Sequence, residues 1–507
     1  MIYIIDFGGQ TAQLIERRIK DAGIPTKFFP PEDALAEIEK QKPAGIILSG
    51  GPSSVYDKSA PTIDPKIFDL NIPILGICYG FQITAKLLGG SVVSGKKEYG
   101  PAKISITNKE SLMAENLLDK STVWMSHGDE IIKLPKGFEI IGNTENVPFA
   151  YVENSKQKIY GALFHPEVEH TEEGQKVLEN FIRICELEGE KNEINTDQII
   201  EDIKTIAGGD YVIGAISGGV DSTVAGTLTA RAIGDHFIPV YVENGLMRDG
   251  TENHVLQIFK KFKIKPIIVH CEEEMLTRLR KIEDPEKKRK IIGNFYIEIF
   301  DREVEKLKEN KNIKFLLQGT IYSDVIESKG TKHAAKIKSH HNVGGLPKDM
   351  KLKLLEPLRH FYKDEVRTIG RSLGLPEEFV EKQVFPGPGY AVRLRGEITR
   401  DRLSKIKIAD NIVLEELQKA GLLKNIYMSF PIMTGASSVA VKGDGRFFGE
   451  VIALRIVESK DVMTATWSRL PYDVLQRISS RIVNEVPEIS RVVYDISTKP
   501  PATMEWE

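Results

Sequence analysis

Ser217-Gly218-Gly219-Val220-Asp221-Ser222-Thr223 (SGGVDST) is bracketed by two apolar segments of different period. Tyr211-Val212-Ile213-Gly214-Ala215-Ile216 runs into it, and an apolar-periodic stretch from Val224 to Ile233 leads away. That order predicts strand, glycine turn, helix. Such a turn bares backbone N–H groups at a helix N-terminus, where a nucleotide phosphate can be held. Gly218 and Gly219 let the backbone approach an anion with no Cβ in the way. Ser217, Ser222 and Thr223 add hydroxyl donors, and Asp221 can hold a magnesium ion that accompanies the phosphate. No lysine closes the loop, so it is not the G-x-x-x-x-G-K-[ST] type. A bare SGG more often only caps a helix; the full heptad after a strand reverses the odds.

Around this loop lie 507 residues, enough for about three domains with sizeable cores. Hydrophobic content of 41% and charged content of 28% are those of a soluble globular protein. A net charge of −3 gives no global attraction to nucleic acid or to an anionic membrane. No apolar run approaches the roughly 20 residues that span a bilayer, and MIYIIDFGGQ, without a basic n-region, reads as a first buried strand. Three widely spaced cysteines, Cys78, Cys185 and Cys271, argue for a reducing cytoplasm and against a disulfide framework.

Residues 1–188 alternate strands (1–6, 45–48, 72–77) with helical stretches (10–22, 81–88), which predicts a doubly wound parallel sheet. Gly76-Ile77-Cys78-Tyr79-Gly80 falls at a strand-to-helix junction, a nucleophile elbow with sulfur for oxygen. A lone buried cysteine is usually an apolar filler, but glycines at ±2 after a strand favour a nucleophile, with the helix N-terminus supporting the thiolate. Such a thiolate needs a base and an orienting carboxylate. Phe164-His165-Pro166-Glu167 offers both, two residues apart on a segment expected to be extended. His127, in the Gly-rich turn expected over Ser126-His127-Gly128-Asp129, competes less well. Ser49-Gly50-Gly51-Pro52, alone an ordinary βα turn, and the residue after the nucleophile, Tyr79, can supply oxyanion N–H donors.

LSGGP, GICYGFQ, SHGD and FHPE, in this order and spacing, resemble the class I glutamine amidotransferases. The resemblance implies Cys78 as nucleophile, His165 as base, Glu167 as orienter, and Gly51 and Tyr79 as oxyanion donors. It also implies that Gln82, Ser126, His127, Gly128 and Asp129 lie near the glutamine. A linker is expected over 191–197.

Residues 192–382 again alternate, with strands expected at 237–242, 264–269 and 313–317, so that ligands meet the carboxyl ends of a parallel sheet. From Lys329 to Lys353 the chain is basic and glycine-rich, either a solvated loop or a cover over phosphates; His340-His341 lacks partners at metal-ligand spacing. SGGVDST resembles the loop of the ATP pyrophosphatases, and VENGLMR, DPEKKRKIIGNF, QGTIYSDVIES and IKSHHNVGGLP are similar to that domain of the GMP synthetases.

Phe385-Pro386-Gly387-Pro388-Gly389 is a rigid break. Residues 383–507 read as a small α/β unit: helices at 400–420 and 471–486, strands at 438–441, 449–457 and 490–496. Its core is expected to be small, which favours pairing with a second copy. The Pro-Pro pair of the last residues stiffens a tail that is otherwise ordinary. FPGPG, GDGR, LPYDVL and KPPATMEWE resemble the C-terminal domain of the GMP synthetases. This resemblance implies a homodimer and an XMP site made by Arg289, Asp444, Lys499 and Glu505.

Together the resemblances imply a ligase that takes ammonia from glutamine and uses ATP and Mg2+ to adenylate and aminate XMP. Its fold would be two doubly wound parallel-sheet domains followed by a small α/β dimerisation domain. The rivals are a glutamine-dependent NAD synthetase, whose glutaminase is usually nitrilase-like, and a non-catalytic nucleotide-binding regulator. The second would be marked by loss of Cys78, His165, Glu167 or Asp221, and all four are present.

Overall fold

A computed structural model describes residues 1–9, 11–189, 194–307, 311–322, 324–325, 352–442, 444–459, 464–499 and 501–507. The stretch from Lys329 to Lys353, expected as a solvated loop or a cover, lies almost wholly outside the described residues. Its last residue, Lys353, opens a short strand, not a loop.

The first unit has nine strands among the described residues: β1 (Ile2–Ile5), β2 (Thr26–Phe29), β3 (Gly45–Leu48), β4 (Ile74–Ile77), β5 (Ser91–Ile106), β6 (Lys120–Lys133), β7 (Glu139–Thr144), β8 (Tyr151–Asn154) and β9 (Ile159–Ala162). Their order is β2-β1-β3-β4-β9-β8-β7-β5-β6. From β2 to β9 neighbours are parallel, and the apolar runs IYII, GIIL and ILGI are buried on both faces, as parallel sheets require. Beyond β9 the sheet continues as an antiparallel half that the alternation did not reveal. Within it, Ser126 to Asp129 belongs to β6 and is no turn.

The second unit is a five-stranded, all-parallel sheet. Its strands are β10 (Tyr211–Ala215), β11 (Phe237–Glu243), β12 (Ile267–His270), β13 (Ile313–Leu317) and β14 (Lys353–Leu355), in the order β12-β11-β10-β13-β14. The chain reverses its direction of travel between β10 and β13, and doubly wound sheets bind ligands at such a point. The expected linker is shorter than read, because Asn195 caps a helix that already runs from Thr196 to Ala207.

The third unit has β15 (Met428–Lys442) and β16 (Gly445–Glu458) as one long antiparallel hairpin, with β17 (Thr466–Trp467) and β18 (Ile489–Tyr494) beside β16. Helices Arg400–Lys419 and Tyr472–Glu485 back it. This unit does not rely on its own core. Ile406 and Val413 of the first helix and Ile452 and Leu454 of β16 join Ile213, Val240 and Leu316 of the second sheet in one apolar cluster.

Candidate active site

Two strand ends build the first constellation. Parallel pairing of β4 with β9 sets Ile77 against Ala162, and the Cys78 N–H donates to the Ala162 carbonyl at 2.7 Å. Cys78 and the 163–167 segment therefore leave the sheet side by side. Cys78 has φ 49° and ψ −108°, and the helix Tyr79–Leu87 starts immediately after it. The flanking glycines have steric reasons. A Cβ on Gly76 would stand 2.8 Å from Gly80, and one on Gly80 would stand 2.2 Å from the Leu48 carbonyl oxygen.

His165 and Glu167 meet through a bend and not along an extended segment, yet their side chains pair, Nδ1 to Oε1, at 2.7 Å. Nδ1 thus carries the proton toward the carboxylate, and Nε2 is left buried with no hydrogen bond among the described residues. Burial works against the charged imidazole, but Glu167 and then Cys78 outweigh it and hold the His165 pKa well above the usual histidine range. Thr11 Oγ1 lies 3.4 Å from His165 Nδ1, and Arg18 Nε donates to the Glu167 carbonyl at 3.0 Å; both come from the start and middle of the Ala12–Asp21 helix region and were not singled out in sequence. Gly50 lies close against the pair, since a Cβ there would stand 3.1 Å from His165 Cε1 and 3.7 Å from Cys78 Cβ. Gly51 packs against Phe7 and the Tyr79 ring.

The Cys78 thiol donates to the Ser126 carbonyl at 3.5 Å, so β6 forms the far wall. There Gln82 Nε2 donates to the Asp129 carbonyl at 3.0 Å, and Ser54 Oγ donates to Asp129 Oδ2 at 2.6 Å. His127 has its Nδ1 at the Asp129 carbonyl, 3.1 Å away, and burial lowers its pKa despite Glu98 nearby. Gly128 lies between them on the same strand. Thiol, imidazole and carboxylate in this order can open an amide through a thioester.

The second constellation surrounds Ser217 to Thr223. The helix Val220–Ile233 follows β10 directly, and Gly218 has φ 74°. A Cβ there would strike Thr251 Cγ2 at 2.5 Å. Ser222 Oγ accepts from the Ser217 N–H at 3.2 Å and lies 3.0 Å from Ser217 Oγ, so the hydroxyls hold the loop open around the helix N-terminus. Thr223 is buried in that first turn. Gly319, at the end of β13, comes so close that a Cβ would meet the Ser222 nitrogen at 2.7 Å. No lysine lies in the heptad, but the fold brings two to it. Lys363 Nζ reaches both oxygens of Asp221, at 2.7 and 2.6 Å, and Lys382 Nζ donates to the Gly218 carbonyl at 3.0 Å. Neither was legible, since they lie more than a hundred residues downstream.

Of the four residues expected at a third site, two converge on the C-terminal tail. Arg289 donates to the Glu507 carbonyl, and Glu505 accepts from Arg393 at 3.3 Å. Lys499 pairs through its backbone with Ala465, beside the Glu458 end of β16. Asp444 does not join them. It sits exposed at φ 61° in the turn at the other end of that hairpin, roughly 45 Å from the Glu458 end along a strand at about 3.3 Å per residue.

The family described as Glutamine amidotransferase class-I matches residues 3–185, NAD synthase matches 193–321, and GMP synthase C terminal domain matches 415–506. Among curated relatives, the GMP synthase (glutamine-hydrolyzing) of Aquifex aeolicus is 48% identical over 511 residues, covering 100% of this chain and 99% of that protein. The protein so described from Carboxydothermus hydrogenoformans is 48% identical, with 100% and 99% covered. That from Clostridium botulinum is 47% identical, with the same coverage.

Proposed function

The chain belongs to the glutamine-hydrolysing GMP synthases, and from that premise we propose how its residues divide the work. The enzyme is a ligase forming a C–N bond: it takes nitrogen from glutamine and, with ATP, converts XMP to GMP, with AMP, pyrophosphate and glutamate as the other products. NAD synthesis is the weaker reading, because the NAD synthase match ends at residue 321 whereas GMP synthase relatives match throughout.

In residues 1–188 the Cys78 thiolate attacks the glutamine carboxamide carbon. N–H groups of Gly51 and Tyr79 stabilise the oxyanion, and His165 protonates the departing nitrogen, which leaves as ammonia. Water deprotonated by His165 then cleaves the thioester to glutamate. Glu167 keeps the imidazole in the tautomer this requires, while Gln82 and Ser126 to Asp129 bound the substrate. The 2.7 Å His165–Glu167 contact beside an elbow cysteine at positive φ carries this reading.

In residues 192–382 the loop from Ser217 to Thr223 holds the ATP phosphates. The O2 atom of XMP attacks the α-phosphorus, the bond to pyrophosphate breaks, and ammonia displaces AMP at C2. Lys363 and Lys382 add positive charge at the loop. Asp221 fits a magnesium ion riding on the phosphates: its carboxylate already faces a cation, and Mg2+ asks of a protein one or two carboxylates beside the phosphates. When bound, the ion supplies charge to the pyrophosphate leaving group.

Residues 383–507 complete the XMP site with Lys499 and Glu505, helped by Arg289, and form a homodimer; Asp444, at the hairpin tip, reaches an XMP site only across that dimer. Exposed Val441 and Phe448 on the hairpin support the pairing. We place the enzyme in the cytoplasm, a reading supported by three free, buried cysteines. No helix among the described residues is long and apolar enough to cross a membrane.

GMP formation by wild type and Cys78→Ala, with glutamine or with ammonium salt, tests the division of labour. The variant is expected to lose only the glutamine-driven reaction. Loss of both reactions in a folded variant would refute it.

A further inference from the structure

Beneath the C-terminal tail, four charges alternate along a buried line that starts at the second sheet. Arg248, in the turn after β11, pairs with Asp410 through Nε at 2.6 Å and Nη2 at 3.1 Å. Asp410 is fully buried and also accepts from the Tyr390 hydroxyl at 2.8 Å. Arg393 comes next, itself fully buried, with Nη1 3.9 Å from Asp410 and Nη2 3.3 Å from Glu505 Oε1. Two rings clamp the Arg393 guanidinium, with Phe385 at 4.6 Å and Phe430 at 4.1 Å, and Arg248 lies 4.7 Å from the same Phe385 ring.

The donors of Arg393 are spent unusually. Asp410 already accepts from Arg248 and Tyr390, and the 3.9 Å that separates it from Arg393 Nη1 is too long for a hydrogen bond. Nε and Nη1 of Arg393 make none among the described residues, so the one hydrogen bond of its guanidinium there goes to Glu505. Arg455, equally buried nearby, behaves as a structural clamp: Nη1 donates to the Ser497 carbonyl at 2.6 Å and Nη2 to the Thr503 carbonyl at 2.9 Å. Arg455 thus holds the tail's backbone, and Arg393 its carboxylate.

We propose that Arg393 is a positioning residue for XMP, acting through Glu505. The two rings fix the plane of the guanidinium, and the guanidinium fixes one oxygen of Glu505. The other oxygen, Oε2, is buried with no hydrogen bond among the described residues, an acceptor held ready. A xanthine ring carries N–H donors on both sides of its C2 carbonyl, which is where an oriented carboxylate would grip it. The argument rests on the assignment of Glu505 to the XMP site.

The test is steady-state kinetics of GMP formation with ammonium salt, which leaves the glutaminase out, for Glu505→Gln, Arg393→Met, Arg393→Lys and the double variant R393M/E505Q. Glu505→Gln and Arg393→Met should each raise the KM for XMP about tenfold and leave the KM for ATP within about twofold, and the double variant should be no worse than either single one. Arg393→Lys, which keeps the charge but loses the planar fork, should fall between. If Arg393→Met does not fold, Arg393→Lys decides, and an unchanged KM for XMP there overturns the proposal. It is equally overturned if the Arg393 variants raise both KM values alike, or if their effects multiply with that of Glu505→Gln. No effect of Glu505→Gln itself would instead refute the assignment of Glu505.

Discussion

Cys78 takes φ 49° and ψ −108°, a conformation that costs a non-glycine residue about 1–3 kcal/mol and places it just past the end of β4, an interior strand, beside His165. The neighbouring imidazole is tuned by Glu167, so Glu167→Gln should cut glutamine-dependent kcat/KM about a hundredfold or more while sparing the ammonium-driven reaction. Because the His165 pKa is raised on folding, the stability its charge contributes is complete below about pH 6.5 and is lost as pH climbs through the raised value. The gap in Tm between wild type and Glu167→Gln should therefore narrow as pH rises. Lys382 shows the opposite sign. Burial first, then Arg248, pulls its pKa down to about 8, so its charge burdens the folded state below that pH. Lys382→Met should raise Tm at about pH 7, a gain that fades toward about pH 10, and should raise the KM for ATP several-fold.

Among the elements, the elbow depends on two glycines that sequence spacing made legible and tertiary packing explains. Gly80→Ala would drive a Cβ to within 2.2 Å of the Leu48 carbonyl, on the adjacent strand end, and nothing there is a movable side-chain tip. Denaturant titration should show a loss of about 1–3 kcal/mol, with glutaminase activity falling further. Ser126-His127-Gly128-Asp129, in the middle of β6, looks like a turn in isolation. Its partner β5 decides otherwise: Tyr99 pairs with Ser126 and Glu98 with His127, past an irregularity between Ser94 and Glu98. Polar residues are tolerated on this strand because they wall the cysteine site instead of a packed core.

At the scale of the whole molecule, the third unit exposes Val441 at 74% and Phe448 at 63% on a long hairpin, while its other side is merged with the second sheet's core. If the proposed homodimer forms through this hairpin, wild type should show a dimer's mass by light scattering and Phe448→Glu a monomer's, at unchanged far-UV circular dichroism. The core expected to be too small is thus completed within the chain, and the hairpin, not the core, is what remains for a partner. Sequence alone determined the alternating α/β units, the elbow at Cys78, the His165–Glu167 pair and the loop from Ser217 to Thr223, because each is written in residues a few positions apart whose period and turn chemistry are local. Tertiary structure alone decided the antiparallel half of the first sheet, the lysines at 363 and 382 beside the loop, the clamp of Arg393 on Glu505 and the distance of Asp444 from that tail. These join residues tens to hundreds of positions apart, and only strand order and helix packing bring such groups within reach of one another.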